Sequence, residues 1–412
     1  MRFICFTFLV LISPAVCMAD ATNWARFRGP NGTGISDSKN IPIKFSNTEN
    51  ILWKLPLSEV GNSAPIIWDK HLFLHSSLPD GTKRFLHCID SNSGKLLWKK
   101  SFNASVAKTH IKNSLASCTP ATDGESIFAF FGKAGVVAFD FSGKELWKTS
   151  VGVQSGNRKW GSASSVILHK DLVIVNASEE SRAVIGLNKK TGAEVWKAPG
   201  DKLELSYTTP FIFNASPEKQ LIIVPVPNEI WAINPENGKL VWFAETSLNG
   251  NISPTIAAKD NLLFCFGGFP QTKSVALKAE GKGDLSKNII WSSTDSSYVP
   301  SPVVKGEHLY WINDRGLAYC AEAATGKIIY KERLPLKSSG GAARPVYASM
   351  ILVHDKLIAV TRQEGTFVLD ASPTFKLISH NKISDEGDFN ASPAISEGKL
   401  FLRSDQCLYC IS

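Results

Sequence analysis

The stretch that most constrains this chain is residues 232–242, A-I-N-P-E-N-G-K-L-V-W. Its apolar ends are strand material, and N-P-E-N-G is turn chemistry. It reads as a hairpin joining two antiparallel strands, with Gly238 at a backbone angle that a side chain resists. The pattern recurs. Copies run from Cys88-Ile89-Asp90 to Gly94 and Trp98, from Ala138-Phe139-Asp140 to Gly143 and Trp147, and from Gly186-Leu187-Asn188 to Gly192 and Trp196. A stretched copy links Ala276-Leu277-Lys278 to Trp291. Weaker ones link Cys320-Ala321-Glu322 to Gly326 and Tyr330, and Val368-Leu369-Asp370 to Ile378. The last stops halfway, at Cys410-Ile411-Ser412, where the sequence ends.

A second marker precedes each hairpin, most often a Ser-x-Pro or Thr-Pro step. Its third residues are Pro65, Pro120, Ser164, Pro210, Pro254, Pro302, Ser349 and Pro393, spaced 55, 44, 46, 44, 48, 47 and 44 residues apart. Eight units of about 45 residues, each holding several short strands, are the signature of a β-propeller. The half-unit at the C-terminus lacks its outer, Trp-ending strand. The one such strand left over is Ile51-Leu52-Trp53-Lys54-Leu55. The chain is therefore read as all-β: an eight-bladed β-propeller of four-stranded antiparallel blades, its ring closed by the N-terminal strand pairing with the C-terminal blade. Trp53, Trp98, Trp147, Trp196, Trp242, Trp291 and Tyr330 hold a fixed place in the repeat, so they are expected to pack between neighbouring blades.

Residues 1–21 read as a secretory signal: Arg2, an apolar run from Phe3 to Val16, then Ala19-Asp20-Ala21 as a cleavage site. The run is shorter than the roughly 20 residues that span a bilayer, and no other stretch is long and apolar enough. Cys17 raises a lipoprotein anchor, but Pro14 and Val16 stand where the lipobox wants Leu and a small residue. Residues 22–48 form an N-terminal arm and 49–412 the propeller. The location read from this is export to the periplasm or cell envelope.

The net charge of +8 is unchanged by removal of Arg2 and Asp20. The lysines are dispersed and several flank turn glycines, as Lys95, Lys144, Lys239 and Lys327 do. That is a solvated surface rather than a nucleic-acid footprint. Cys88, Cys320 and Cys410 occupy a position that alanine fills in other repeats, which makes them small buried strand residues. Cys407 and Cys410, three apart on a strand, point to opposite faces and cannot share a metal.

The arm opens W-A-R-F-R-G-P-N-G-T-G, residues 24–34. Trp24 and Phe27 are expected to pack against the propeller, with a contact surface at Arg26 and Arg28 as the alternative. The longest irregular connection, 101–117, carries His110, Lys112 and Asn113, and connections of that length are often functional. Comparable joins carry Arg158 and Trp160, Glu204 and Tyr207, Asn251, Tyr298, Arg344 and Tyr347, and Asn390. Each lies upstream of the marker that opens its unit. If the marker opens the innermost strand, these side chains meet on one face around the channel. Such a ring suits stacking and hydrogen bonding of a polar, planar or sugar-like ligand.

The recurring A-x-D-x-x-T/S-G-K-x-x-W hairpin with its S-x-P strand resembles the PQQ-like propeller repeat, found in quinoprotein alcohol dehydrogenases and in the outer-membrane protein assembly factor BamB. The likeness covers residues 49–412. It implies one of two functions. The first is a non-enzymatic, BamB-like binding or assembly platform for an envelope protein or glycan, expected to be a monomer and to carry no cofactor. The alternative is a dehydrogenase of alcohols or sugars using PQQ with Ca²⁺. That family brings an adjacent Cys-Cys pair, a Trp floor, acidic and amide metal ligands and an Asp base. Here no two cysteines are adjacent. Trp160 matches the floor, and Asp388 and Glu204 are carboxylates by position alone. No catalytic set is carried over, and the platform is the preferred reading.

Overall fold

The computed structural model describes residues 23–104, 109–110, 113–337 and 344–412. Residues 1–21, read above as a secretory signal, and with them Cys17, lie outside the described residues. Among the described residues, eight sheets, each built on a four-stranded antiparallel blade, radiate from one axis, and seven of the blades use four strands in chain order. Blade 1 comprises Ile66–Trp68, His71–Ser77, Lys83–Asp90 and Leu96–Asn103. Blades 2 to 7 open at Ala121–Thr122, Ile167–His169, Phe211–Ser216, Ala257–Lys259, Val303–Lys305 and Ile351–Val353. Blade 8 takes three strands from the C-terminus, Ala394–Ser396, Lys399–Arg403 and Cys407–Ile411, and its fourth, Ile51–Pro56, from the other end of the chain. Trp53 lies opposite Cys410 and Ile51 opposite Ile411. The ring is closed as its split repeat implied.

Strand character follows burial. The two middle strands of each blade are covered on both faces by neighbouring blades and read as continuous apolar runs, such as Val173, Ile174 and Val175. The outer strands alternate. In Ile51–Pro56 every second residue is exposed. In five outer strands the aliphatic residue before the Trp faces outward, with Leu52, Leu97, Leu146, Val195 and Ile290 all exposed, while the Trp turns into the gap between blades; Val241, before Trp242, is partly buried.

Each indole meets the hairpin of the following blade. A Cβ added at Gly94, Gly143, Gly192, Gly238 or Gly326 would lie within 3 Å of Trp53, Trp98, Trp147, Trp196 or Trp291 respectively. All five glycines have φ between +69° and +80°, where only glycine is unstrained. The indole N–H groups donate to Ser91, Phe141, Lys189, Pro235 and Ala323 carbonyls of those hairpins. Two joints differ. Tyr330 packs edge-on against Phe375, ring centroids 5.5 Å apart. The stretched fifth hairpin folds back, so that Gly283–Asp284 adds a fifth, parallel strand outside Leu240–Glu245 of blade 4.

The arm does not stay outside. Trp24 exchanges two backbone hydrogen bonds with Ile67 in the innermost strand of blade 1, and Ala25 accepts from Thr122 of blade 2. Arg28 is 1% exposed and donates to the Thr33 and Pro302 carbonyls at 2.7 Å. Ile35–Ser36 then pairs in parallel with the innermost strand of blade 7. The arm therefore crosses the channel and plugs it.

Candidate ligand-binding site

Above this plug lies an axial cavity of about 190 Å³. Every blade contributes to it through the segment that leads into its first strand, and the arm supplies Phe27 from below. Asn113, Trp160, Tyr207, Asn251, Tyr298, Tyr347 and Asn390 line it. His110 stands behind Trp160, their rings stacked with centroids 3.8 Å apart. Arg158 is exposed and lies off the lining, as do Glu204 and Arg344. Lys112 falls outside the described residues.

The loop carrying Trp160 is held by carboxylates and amides. Gly156 N–H donates to Glu179 at 2.6 Å and Asn157 N–H to Glu204 at 2.8 Å. Glu204 also pairs with Arg182 at 3.1 Å, so its role there is to anchor the loop. The Trp160 carbonyl accepts from Asn113 Nδ2 at 2.7 Å and from the Thr109 hydroxyl. Gly161, at φ +85°, lets the chain turn beneath Thr109, whose Oγ1 a Cβ would approach to 2.7 Å.

Charged groups sit one layer behind the wall and fix its phenols. Tyr207 donates to Glu179 at 2.9 Å, and burial together with that carboxylate pushes its phenol well above the ordinary range. The Arg344 guanidinium lies 5.1 Å from the Tyr298 ring centroid and is paired with Asp314. Arg362 lies 5.5 Å from Tyr347 and is paired with Asp388. Beside the wall, burial pushes the Glu180 carboxyl up to about 7; its partner is the Ser162 hydroxyl.

A belt of hydroxyls beneath the wall escaped the sequence reading. Backbone N–H groups of Ala64, Thr119 and Ser165 donate to Thr119, Ser165 and Thr209 of the next blade. Those of Thr255, Ser301 and Ser349 donate to Ser301, Ser349 and Ser392. The chain of bonds breaks twice: between blades 4 and 5, where the Thr255 hydroxyl has no partner among the described residues, and where blade 1 has Ala64 in place of a hydroxyl, with Arg403 of blade 8 bonding Ser63 there instead. The belt also corrects the marker alignment. Val166, Ile256 and Met350, rather than Ser164, Pro254 and Ser349, are equivalent to Pro65. A Ser/Thr column at a period of about 45 was visible in the sequence, but proline is a louder signal than hydroxyl.

Ca²⁺ takes six to eight oxygen ligands, with carboxylates among them, and PQQ carries carboxylates that need cationic partners. The described lining offers neither: it holds amides, hydroxyls and aromatic rings with no charged side chain. Among the described residues no three His, Cys, Asp or Glu gather as a metal site. The six described cysteines are buried and unpaired, so no disulfide lies against the cavity. These residues do not fit PQQ with Ca²⁺. Nor is any described helix long and apolar enough to cross a membrane.

Comparison with known proteins places the architecture. The chain is 23% identical to tetrathionate hydrolase of Acidithiobacillus ferrooxidans over 363 residues, covering 77% of this chain and 66% of that protein. It thus spans just under two thirds of that relative's length. Among solved structures, BamB from Moraxella catarrhalis superposes with a TM-score of 0.63 at 13% identity, covering 87% of this chain and 96% of that one. Quinohemoprotein alcohol dehydrogenase from Comamonas testosteroni gives 0.66 at 10%, covering 94% and 80%. A europium-containing methanol dehydrogenase gives 0.64 at 12%, covering 93% and 89%. At such identities these structures speak to fold alone. Residues 82–332, more than half of the chain, match the family described as outer membrane protein assembly factor BamB, and the chain belongs to that PQQ-repeat propeller family.

Proposed function

We propose that this protein is a non-enzymatic binding and assembly platform of the bacterial cell envelope. Its propeller is a rigid frame, and its axial cavity receives a neutral polar segment of a glycan or protein. One observation carries the reading: all eight blades converge on a cavity whose described lining is uncharged. An uncharged aromatic and amide surface binds by stacking and hydrogen bonding. Among the described lining residues there is neither a carboxylate or imidazole base to remove a proton nor a cation to hold an anionic cofactor. Export is part of the same reading and rests on the signal-like residues 1–21. Family membership is consistent with both parts.

The test is a titration of the protein with PQQ and Ca²⁺, following Trp fluorescence and dye-linked alcohol oxidation together. Neither quenching nor turnover is expected. Saturable quenching with turnover would overturn the platform and restore the dehydrogenase. Quenching alone would place a quinone in the cavity and sink its assignment to a neutral ligand.

A further inference from the structure

The cavity also carries information about the class of its ligand. We propose that it binds the terminal ring of an uncharged saccharide, an inference that rests on the platform reading above.

Three features converge. The first is unspent hydrogen-bonding capacity. Asn251 is 2% exposed; its Nδ2 donates to the Tyr298 hydroxyl at 3.0 Å, and its Oδ1 has no partner. The amide oxygen of Asn390 is likewise buried without a partner. Opposite kinds of group complete the set. Thr119, Ser165 and Thr209 accept a backbone N–H from the preceding blade, yet their own O–H protons have no acceptor among the described residues. The cavity therefore offers acceptors from its amides and donors from its belt. A ligand that satisfies both must donate and accept around its perimeter, as a polyol does. Buried groups of this kind are costly to leave without a partner, so the ligand's hydroxyls have something to repair.

The second feature is the wall. Trp160, Tyr207, Tyr298 and Tyr347 surround the space and Phe27 floors it. His110 backs the indole of Trp160, which stiffens it and leaves its remaining surface to the cavity. A pyranose presents apolar C–H faces to such rings while its hydroxyls point to the rim.

The third is size and depth. About 190 Å³ is of the same order as the ~150 Å³ cavity that accommodates one benzene ring, so a single six-membered ring fits. The arm plugs the far end, so a polymer cannot thread through, and a chain end must enter. Charge selects further. An anionic or cationic sugar would lose its hydration with no counter-charge in the described lining, which is strongly unfavourable.

The experiment is isothermal titration of the full chain with methyl β-D-glucopyranoside and with N-acetylglucosamine, beside glucuronate and glucose 6-phosphate as charged counterparts. Saturable binding of a neutral sugar is expected, with the charged ones at least about tenfold weaker. Trp160→Ala should abolish it. Asn251→Leu and Asn390→Leu should each weaken it about tenfold, with thermal melting confirming that each variant is folded. If the wild-type protein binds neither neutral sugar, the saccharide assignment is wrong, while the platform reading survives. Tighter binding of glucuronate or glucose 6-phosphate would overturn the neutrality argument. Binding undiminished in all three variants would move the site elsewhere. Turnover with PQQ and Ca²⁺ would remove the platform and this inference with it.

Discussion

Two blade joints, built from the same repeat, end differently. Between blades 3 and 4, Trp196 lies on Gly238 and donates its N–H to the Pro235 carbonyl at 2.9 Å. Between blades 4 and 5 the corresponding Trp242 is more deeply buried, at 1% exposure, yet its N–H has no partner. The difference lies in the hairpin that each Trp meets. The first is a short turn whose glycine and carbonyl sit where the indole arrives. The second carries the insertion around 279–288, which moves the turn away. It covers the outer edge of blade 4 instead, with Leu285 joining the apolar cluster that holds Trp242. Apolar burial thus replaces a hydrogen bond. A Trp contributes most of its stabilisation through the 150–250 Å² it buries, and a net hydrogen bond adds only about 1 kcal/mol. The repeat tolerates losing the second so long as it keeps the first.

Three experiments break or sharpen this comparison. The largest effect belongs to the joint made from both chain ends. Deleting residues 49–57 removes Trp53 from Gly94 and strips the fourth strand from blade 8. That leaves Cys407–Ile411 as an open edge. Loss of a cooperative thermal transition by circular dichroism is expected, and a truncation that melts with the full chain would refute closure as a source of stability. Next come the glycines. Gly238→Ala and Gly283→Ala both place a side chain at positive φ, +69° and +75°. That strain costs about 1–2 kcal/mol. A Cβ at Gly238 would also lie 2.6 Å from Trp196, whereas nothing lies within 4 Å of one at Gly283. Urea unfolding should show Gly238→Ala the worse by about 1–3 kcal/mol, and equal losses would mean that the indole contact does not matter. The smallest effect is the N–H itself. Trp196→Phe and Trp242→Phe lose similar volume, but only the first loses a made hydrogen bond. Trp196→Phe should cost about 1 kcal/mol more, and the reverse order would show that the Trp242 N–H is satisfied by water.

Much of the architecture was legible in the residues. The split repeat named Trp53 as the missing strand because a propeller leaves no blade unfinished, and Trp53 does lie beside Cys410. The joins upstream of each first strand were legible as a set, and seven of their side chains share the axial cavity. Arg158, Glu204 and Arg344 lie in those same joins and point elsewhere. Sequence position locates a loop at the channel mouth, but the direction of each side chain depends on loop dihedrals that only packing selects. The Ser/Thr belt was present as a period, yet its meaning lies in bonds between residues 43 to 55 positions apart.

What the sequence determined by itself is the local and repeated part: strand, turn, glycine and Trp at a fixed interval. Each unit makes its own hairpin and needs only its neighbour to bury its faces, so periodicity suffices to count blades and close the ring. What the tertiary structure alone decided is the centre. The arm in the channel, Phe27 under the cavity, and Arg28 bonded to Pro302 across 274 residues depend on one unrepeated segment meeting several blades at once. No local propensity encodes that meeting. It follows from an apolar, hydrogen-bonding segment finding the channel that eight assembled blades leave open.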